Sequence, residues 1–228
     1  MAKHNRIKQI FADYAKIANS APFEEQKAWL LNAIEKYSSE EPDDALGLCA
    51  LYSQIGSLYR TFSHFDDSEA AFIKAKELLE NTGDNKSYNY VTTLNNLAGL
   101  YLASKKNDKA LELFNKSIEL CSNGTSISLE AYATALNNKG LILQDRGEYA
   151  EAEAQYKRAL EIIGHIKDNG KLLATTYINI AFVRYALKDK KAASENMDKA
   201  LELFENGILS KSLPMYKQCL LIKIRMSS

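Results

Sequence analysis

Apolar and small residues recur along this chain at helical spacing, and the helical patterns themselves recur at a longer period. In Leu136-Asn-Asn-Lys-Gly-Leu-Ile-Leu143, positions 136, 139, 140 and 143 share one face at i, i+3, i+4 and i+7. Ala152, Tyr156, Ala159 and Leu160 do the same in the segment that follows. Between the two, Asp145-Arg-Gly-Glu148 supplies a glycine suited to ending a helix. The pattern predicts two antiparallel helices joined by a tight turn.

The same pair of patterns returns along the chain. The first pattern is repeated in Tyr52–Tyr59, Leu94–Tyr101 and Tyr177–Arg184, and the second in Asp66–Lys76, Asp108–Ile118 and Lys191–Leu201. A small residue of the first pattern falls at Gly56, Ala98, Gly140 and Ala181, at spacings of 42, 42 and 41. Three columns of the second pattern keep that period. They are Ser68, Ala110, Ala152 and Ala193; Phe72, Phe114, Tyr156 and Met197; and Ala75, Ser117, Ala159 and Ala200. Small residues let two helices approach, and the large one fills the remaining groove. Polar breaks with a glycine separate the copies at 81–85, 121–126 and 167–170. The copies span 49–82, 91–124, 133–166 and 174–207.

A worn copy is expected over 7–40. Ala33, Leu30 and Phe23 stand in register there, but the small-residue column falls on Tyr14. A terminal repeat lacks an outer neighbour and is expected to be atypical. At the other end, Pro214 suits a helix start, and 212–226 is expected to form a closing helix whose lysines and Arg225 interrupt its apolar residues.

These columns resemble the tetratricopeptide repeat. Gly140, Gly147, Tyr149, Ala152, Tyr156 and Ala159 stand at its consensus places, with Leu143 off pattern. The long period with Leu94-Asn-Asn-Leu-Ala98 is similar to the repeats of kinesin light chains and of many bacterial proteins. The resemblance covers residues 7–207. Departures are Arg184 at a tyrosine place, Asn107 and Lys190 at an aromatic place, and no proline closing each repeat. It implies an all-α, right-handed superhelical solenoid of about five antiparallel helix pairs plus the closing helix, expected as a single domain over 1–228.

Such solenoids line a concave groove with the first helix of each pair. The inward positions implied here are Ser53, Gln54, Ser57 and Arg60; Asn95, Asn96, Gly99 and Leu102; Asn137, Asn138, Leu141, Gln144 and Asp145; and Ile178, Asn179, Phe182 and Tyr185. Gln54, Asn96, Asn138 and Asn179 make a ladder of amides, each with two donors and an acceptor for the backbone of an extended peptide. Asparagine is a poor helix-interior residue, so its recurrence wants a reason. The candidate peptide-binding set is Gln54, Asn95, Asn96, Leu102, Asn137, Asn138, Leu141, Asn179, Phe182 and Tyr185. The alternative is that these amides bond neighbouring helices or water. The lysine-rich clamp with which some relatives hold a terminal carboxylate is missing, since Ser53, Thr92, Asn95 and Asn137 occupy those places and only Arg60 is basic.

Composition narrows the function further. The chain has 29 basic and 29 acidic residues among 228, so no global field draws it to nucleic acid or an anionic membrane. With ten glycines and three prolines it is short of turns for a β-sandwich. No run is long and apolar enough to cross a membrane, and the opening residues lack the core of a signal peptide, so a cytoplasmic location is expected. Cys49, Cys121 and Cys219, and likewise His4, His64 and His165, lie far apart and suggest neither a metal nor a redox pair. No phosphate loop, nucleophile elbow or zinc motif is present. The expectation is a non-catalytic adaptor or scaffold without cofactor, whose partner is a protein or peptide. Self-assembly into homo-oligomers and sensing of a short signalling peptide are the alternatives.

Overall fold

The computed structural model describes residues 2–123 and 128–227, with side chains described over 6–123 and 128–224. The turn residues 124–126 and the side chains of His4, Arg225 and Met226 lie outside the described residues. Among the described residues there are eleven helices and no strand. They are α1 (Ala2–Ala15), α2 (Phe23–Glu40), α3 (Ala45–Thr61), α4 (Phe65–Asn81), α5 (Tyr88–Ala103), α6 (Asn107–Ser122), α7 (Leu129–Asp145), α8 (Tyr149–Ile163), α9 (Gly170–Ala186), α10 (Lys190–Glu205) and α11 (Pro214–Ser227). The fold is an all-α repeat solenoid of helix pairs.

The chain forms two compact units, Met1–Lys116 and Ser117–Asn123 with Ile127–Ser228. In the first, α3 pairs with α4, and α1, α3 and α5 lie side by side as a layer of first helices. In the second, α7 pairs with α8 and α9 with α10, α7 and α9 are neighbours, and α11 packs on α10.

The small and large columns meet as their chemistry requires. A Cβ added to Gly56 would stand 3.0 Å from two ring atoms of Phe72, and one added to Gly140 would stand 2.8 Å from Cζ of Tyr156. Phe72, Phe114, Tyr156 and Met197 are all fully buried. Each first helix of the four clear copies starts about three turns ahead of its small-residue column. Asp44, Ser87 and Ser128 cap α3, α5 and α7 by accepting from the backbone N–H of Gly47, Tyr90 and Ala131.

The turn within each pair also repeats. Ser63, Lys105, Gly147 and Lys188 stand in one column and have φ of 63°, 62°, 79° and 65°. In each case the next N–H reaches back to the helix: His64 to Tyr59 O, Lys106 to Tyr101 O, Glu148 to Leu143 O and Asp189 to Arg184 O, at 2.8–2.9 Å. Glycine occupies this left-handed place only once.

Arg184, the departure from the tyrosine column, has a partner that explains it. Its guanidinium pairs with Glu153, which is 9% exposed and also meets Lys157. The equivalent columns two pairs earlier, in the first unit, hold Glu69 and Tyr101, whose hydroxyl donates to Glu69 Oε1 at 2.8 Å. Tyrosine and arginine both satisfy the same glutamate place.

The terminal repeats differ for physical reasons. Tyr14 stands where a small residue would let α1 close on α2. A cavity of about 370 Å³ lies between those helices, lined by Arg6, Ile10, Asp13, Trp29 and Tyr37 among others. At the other end, Cys219 of α11 is buried against Ala181, Met197 and Phe204. The outer face of α11 is more apolar than expected, with Leu221 59% and Ile224 67% exposed.

Candidate functional site

Two first helices of the first unit, α3 and α5, carry very little charge. In α3 the only charged side chain is Arg60, and α5 has none. They are held by packing, through Leu51, Ile55 and Leu58 on α3 and Val91, Leu94, Leu97 and Ala98 on α5. What remains is a half-buried strip of neutral polar groups with Arg60 among them. Gln54 is hydrogen-bonded to the Tyr14 hydroxyl, whose pKa is pushed up by burial and partly restored by that bond. The same hydroxyl donates to Gln26 Oε1 at 2.9 Å. Beside Gln54 lies a cavity of about 270 Å³, lined by Tyr14, Ala18, Ser57, Thr61 and the exposed Phe62. On α5, Asn95 is buried, whereas Asn96 and Leu102 are half-buried. The Asn96 side chain makes no hydrogen bond to a described residue, and its backbone carbonyl accepts from Arg60 Nη1 at 3.4 Å.

In the second unit the predicted residues divide again. Asn137 is buried, and its Nδ2 donates to Thr176 Oγ1 at 2.8 Å, tying α7 to α9. That amide group is spent on the fold. Asn138 and Leu141 are half-buried, and the Asn138 side chain has no hydrogen bond among the described residues. Asn179 is 8% exposed, and its Nδ2 has no partner among the described residues. Phe182 and Tyr185 are each 39% exposed on α9, one turn apart.

Asn96 and Asn138 are thus the available amides, and Phe182 and Tyr185 the available apolar contacts. Sequence reasoning placed Arg60 inward but left it out of the binding set. Thr176 was missed, because its value lies in a bond to Asn137 that no spacing announces. The signal for Arg60 was its isolation in an otherwise uncharged helix.

Other reactive groups are occupied by packing. Cys49 and Cys219 are buried and Cys121 half-buried; burial pushes all three thiols up, Cys121 to about 11. His64 stacks on Phe23 at 4.6 Å. Among the described residues no group of three His, Cys, Asp or Glu side chains is placed to hold a metal ion. No described helix is long and apolar enough to cross a membrane.

The sequence profile of the tetratricopeptide repeat matches residues 47–123 and 131–206. No curated protein matches the sequence significantly. Solved structures do share the fold. The chain is similar to BtubC (BKLC) from P. vanneervenii, with a TM-score of 0.74 and 21% identity over 88% of this chain and 81% of that one. It is similar to aspartyl phosphate phosphatase F from Bacillus subtilis, with a TM-score of 0.81 and 15% identity over 95% of this chain and 54% of that one. A kinesin light chain protein with nearly identical repeats from Podosopora anserina superposes with a TM-score of 0.62 at 12% identity, over 77% of this chain and 82% of that one.

Proposed function

This chain belongs to the tetratricopeptide repeat family, and from that premise we propose that it is a cytoplasmic adaptor or scaffold that binds an extended peptide segment along its first helices. The fold itself is that of a protein–protein interaction module. The observation that carries the finer reading is the state of Asn96 and Asn138. Both sit in helix interiors, half-exposed, with no side-chain hydrogen bond to a described residue. Asparagine weakens a helix interior, and here no internal bond offsets that cost. A peptide backbone, which offers a donor and an acceptor at every residue, matches such groups without reading sequence. Leu141, Phe182 and Tyr185 then supply apolar contacts for alternate side chains. Asn179 stands in the same ladder, with an Nδ2 that is buried and has no partner among the described residues.

The test is selection of a displayed random-peptide library on wild type and on Asn96→Ala/Asn138→Ala/Asn179→Ala, with circular dichroism first showing that the variant folds. Peptides held by wild type and lost by the variant support the proposal. Peptides held equally by both refute the amide mechanism.

Self-association is a second reading, favoured by the exposed Leu221 and Ile224 on α11. Sedimentation at rising concentration tests it. Dimers abolished by Leu221→Lys/Ile224→Lys support it, and a monomer throughout removes it.

A further inference from the structure

Five half-buried cations of this protein share an arrangement that Arg60 lacks. Arg6, Lys27, Lys76, Arg184 and Lys223 are each half-buried, and each meets a carboxylate: Glu40, Glu24, Glu80, Glu153 and Asp198 respectively. Arg60 is half-buried too, yet among the described residues no carboxylate stands within ion-pair distance of it. Its guanidinium reaches only the Asn96 carbonyl, at 3.4 Å, and the Phe72 ring, at 5.9 Å from its centroid. Burial lowers its pKa, and no acidic group acts in the other direction. A guanidinium has five donors in a planar fork, so most of this one is unused.

The fold makes room for it. A Cβ on Gly99 would stand 2.9 Å from Arg60 Nη1. The other members of that column are Ser57, Leu141 and Phe182, so a side chain is the norm at this place. Glycine inside a helix costs about 1 kcal/mol relative to alanine. Here that cost leaves space for a cation that the protein itself does not neutralise.

We propose that Arg60, seated over Gly99 between α3 and α5, is an anion-reading subsite that takes the side-chain carboxylate of an Asp or Glu in the bound peptide. This deepens the peptide-binding reading and rests on it. A carboxylate suits the fork bidentately and supplies the missing counter-charge. The polar strip runs past Arg60 on both sides, to Gln54 and its cavity on α3 and to Asn96 on α5. An internal acidic residue fits that continuity better than a chain terminus.

The test is a random-peptide library displayed without free C-termini, selected on wild type, Arg60→Gln and Arg60→Glu. Wild type is expected to enrich Asp or Glu at one position of a shared motif. Arg60→Gln is expected to lose that preference and to bind the wild-type peptide about tenfold more weakly, as loss of a charge-assisted bond implies. Arg60→Glu is expected to enrich Lys or Arg at the same position. A shared wild-type motif without an acidic position overturns the role of Arg60 and leaves peptide binding standing. No enriched peptide at all overturns both. Binding only of synthetic peptides with a free C-terminal carboxylate, abolished by amidation, overturns the side-chain assignment. Thermal melting of Arg60→Met separates a structural role: an unchanged or raised midpoint supports the subsite, and a clear fall shows that Arg60 holds the fold and overturns it.

Discussion

Gly140→Ala tests the packing logic of the repeat, because two effects of known sign oppose each other there. Alanine is the better helix former and returns about 1 kcal/mol. Against this, its Cβ would stand 2.8 Å from Cζ and 2.9 Å from Cδ1 of Tyr156, and closer still to Cε1. Carbon atoms prefer about 3.5–4.0 Å, so the ring must recede by roughly 1 Å. Tyr156 is fully buried. Overpacking of this kind costs about 1–3 kcal/mol, and a clash with three ring atoms belongs at the upper end. The net expectation is a loss of about 2 kcal/mol. Gly56→Ala is the internal control. The nearest Phe72 atoms there lie at 3.0–3.1 Å, so a few tenths of an ångström suffice and the helix gain largely cancels the strain. Urea unfolding followed by circular dichroism reads both variants. Gly140→Ala/Tyr156→Met, which copies the Ala181 and Met197 pair, should show a favourable coupling of at least about 1 kcal/mol. Gly140→Ala as stable as wild type would refute the small-against-large reasoning.

Three further outcomes follow from particular residues. Ser63→Gly, Lys105→Gly and Lys188→Gly should each stabilise by up to about 1 kcal/mol, since each relieves a left-handed residue, while Gly147→Ala should destabilise by about as much; thermal melts check the signs. Arg184→Leu should cost about 2 kcal/mol by stripping Glu153 of its inner partner, and Glu153→Leu/Arg184→Leu should recover most of that in urea unfolding. The Lys106 hydrogen bond, and then that of Tyr101, hold the Glu69 carboxyl below the usual carboxylate range, against the upward effect of burial. Its stabilisation is therefore present above the ordinary glutamate pKa and is lost as pH falls through the folded value, so melting in acid should be steeper for wild type than for Glu69→Gln.

Much of the fold was legible because it repeats. A column of Gly or Ala facing a column of Phe, Tyr or Met has one packing solution, and periodicity showed it four times. The turns were legible only at Gly147. Ser63, Lys105 and Lys188 adopt the same left-handed place without glycine's signature, because the helix-ending hydrogen bonds hold them there. Arg184 read as a departure until Glu153 was found beneath it. The site was legible as a face but not as a set of free groups. Asn137 and Asn138 are neighbours in sequence, yet one is bonded to Thr176 and the other is unbonded, and only the helix partner decides which. Arg60 depends on Gly99, a residue whose contribution is the side chain it lacks.

The central claim is that the first helices carry the binding. Its most direct test is photo-cross-linking: a selected peptide with a photoreactive phenylalanine at successive positions, irradiated with the full chain, and the adducts mapped by mass spectrometry. The account predicts adducts on α3, α5, α7 and α9, concentrated near Arg60, Asn96, Asn138 and Phe182. Adducts confined to α4, α8, α10 or α11 would contradict it.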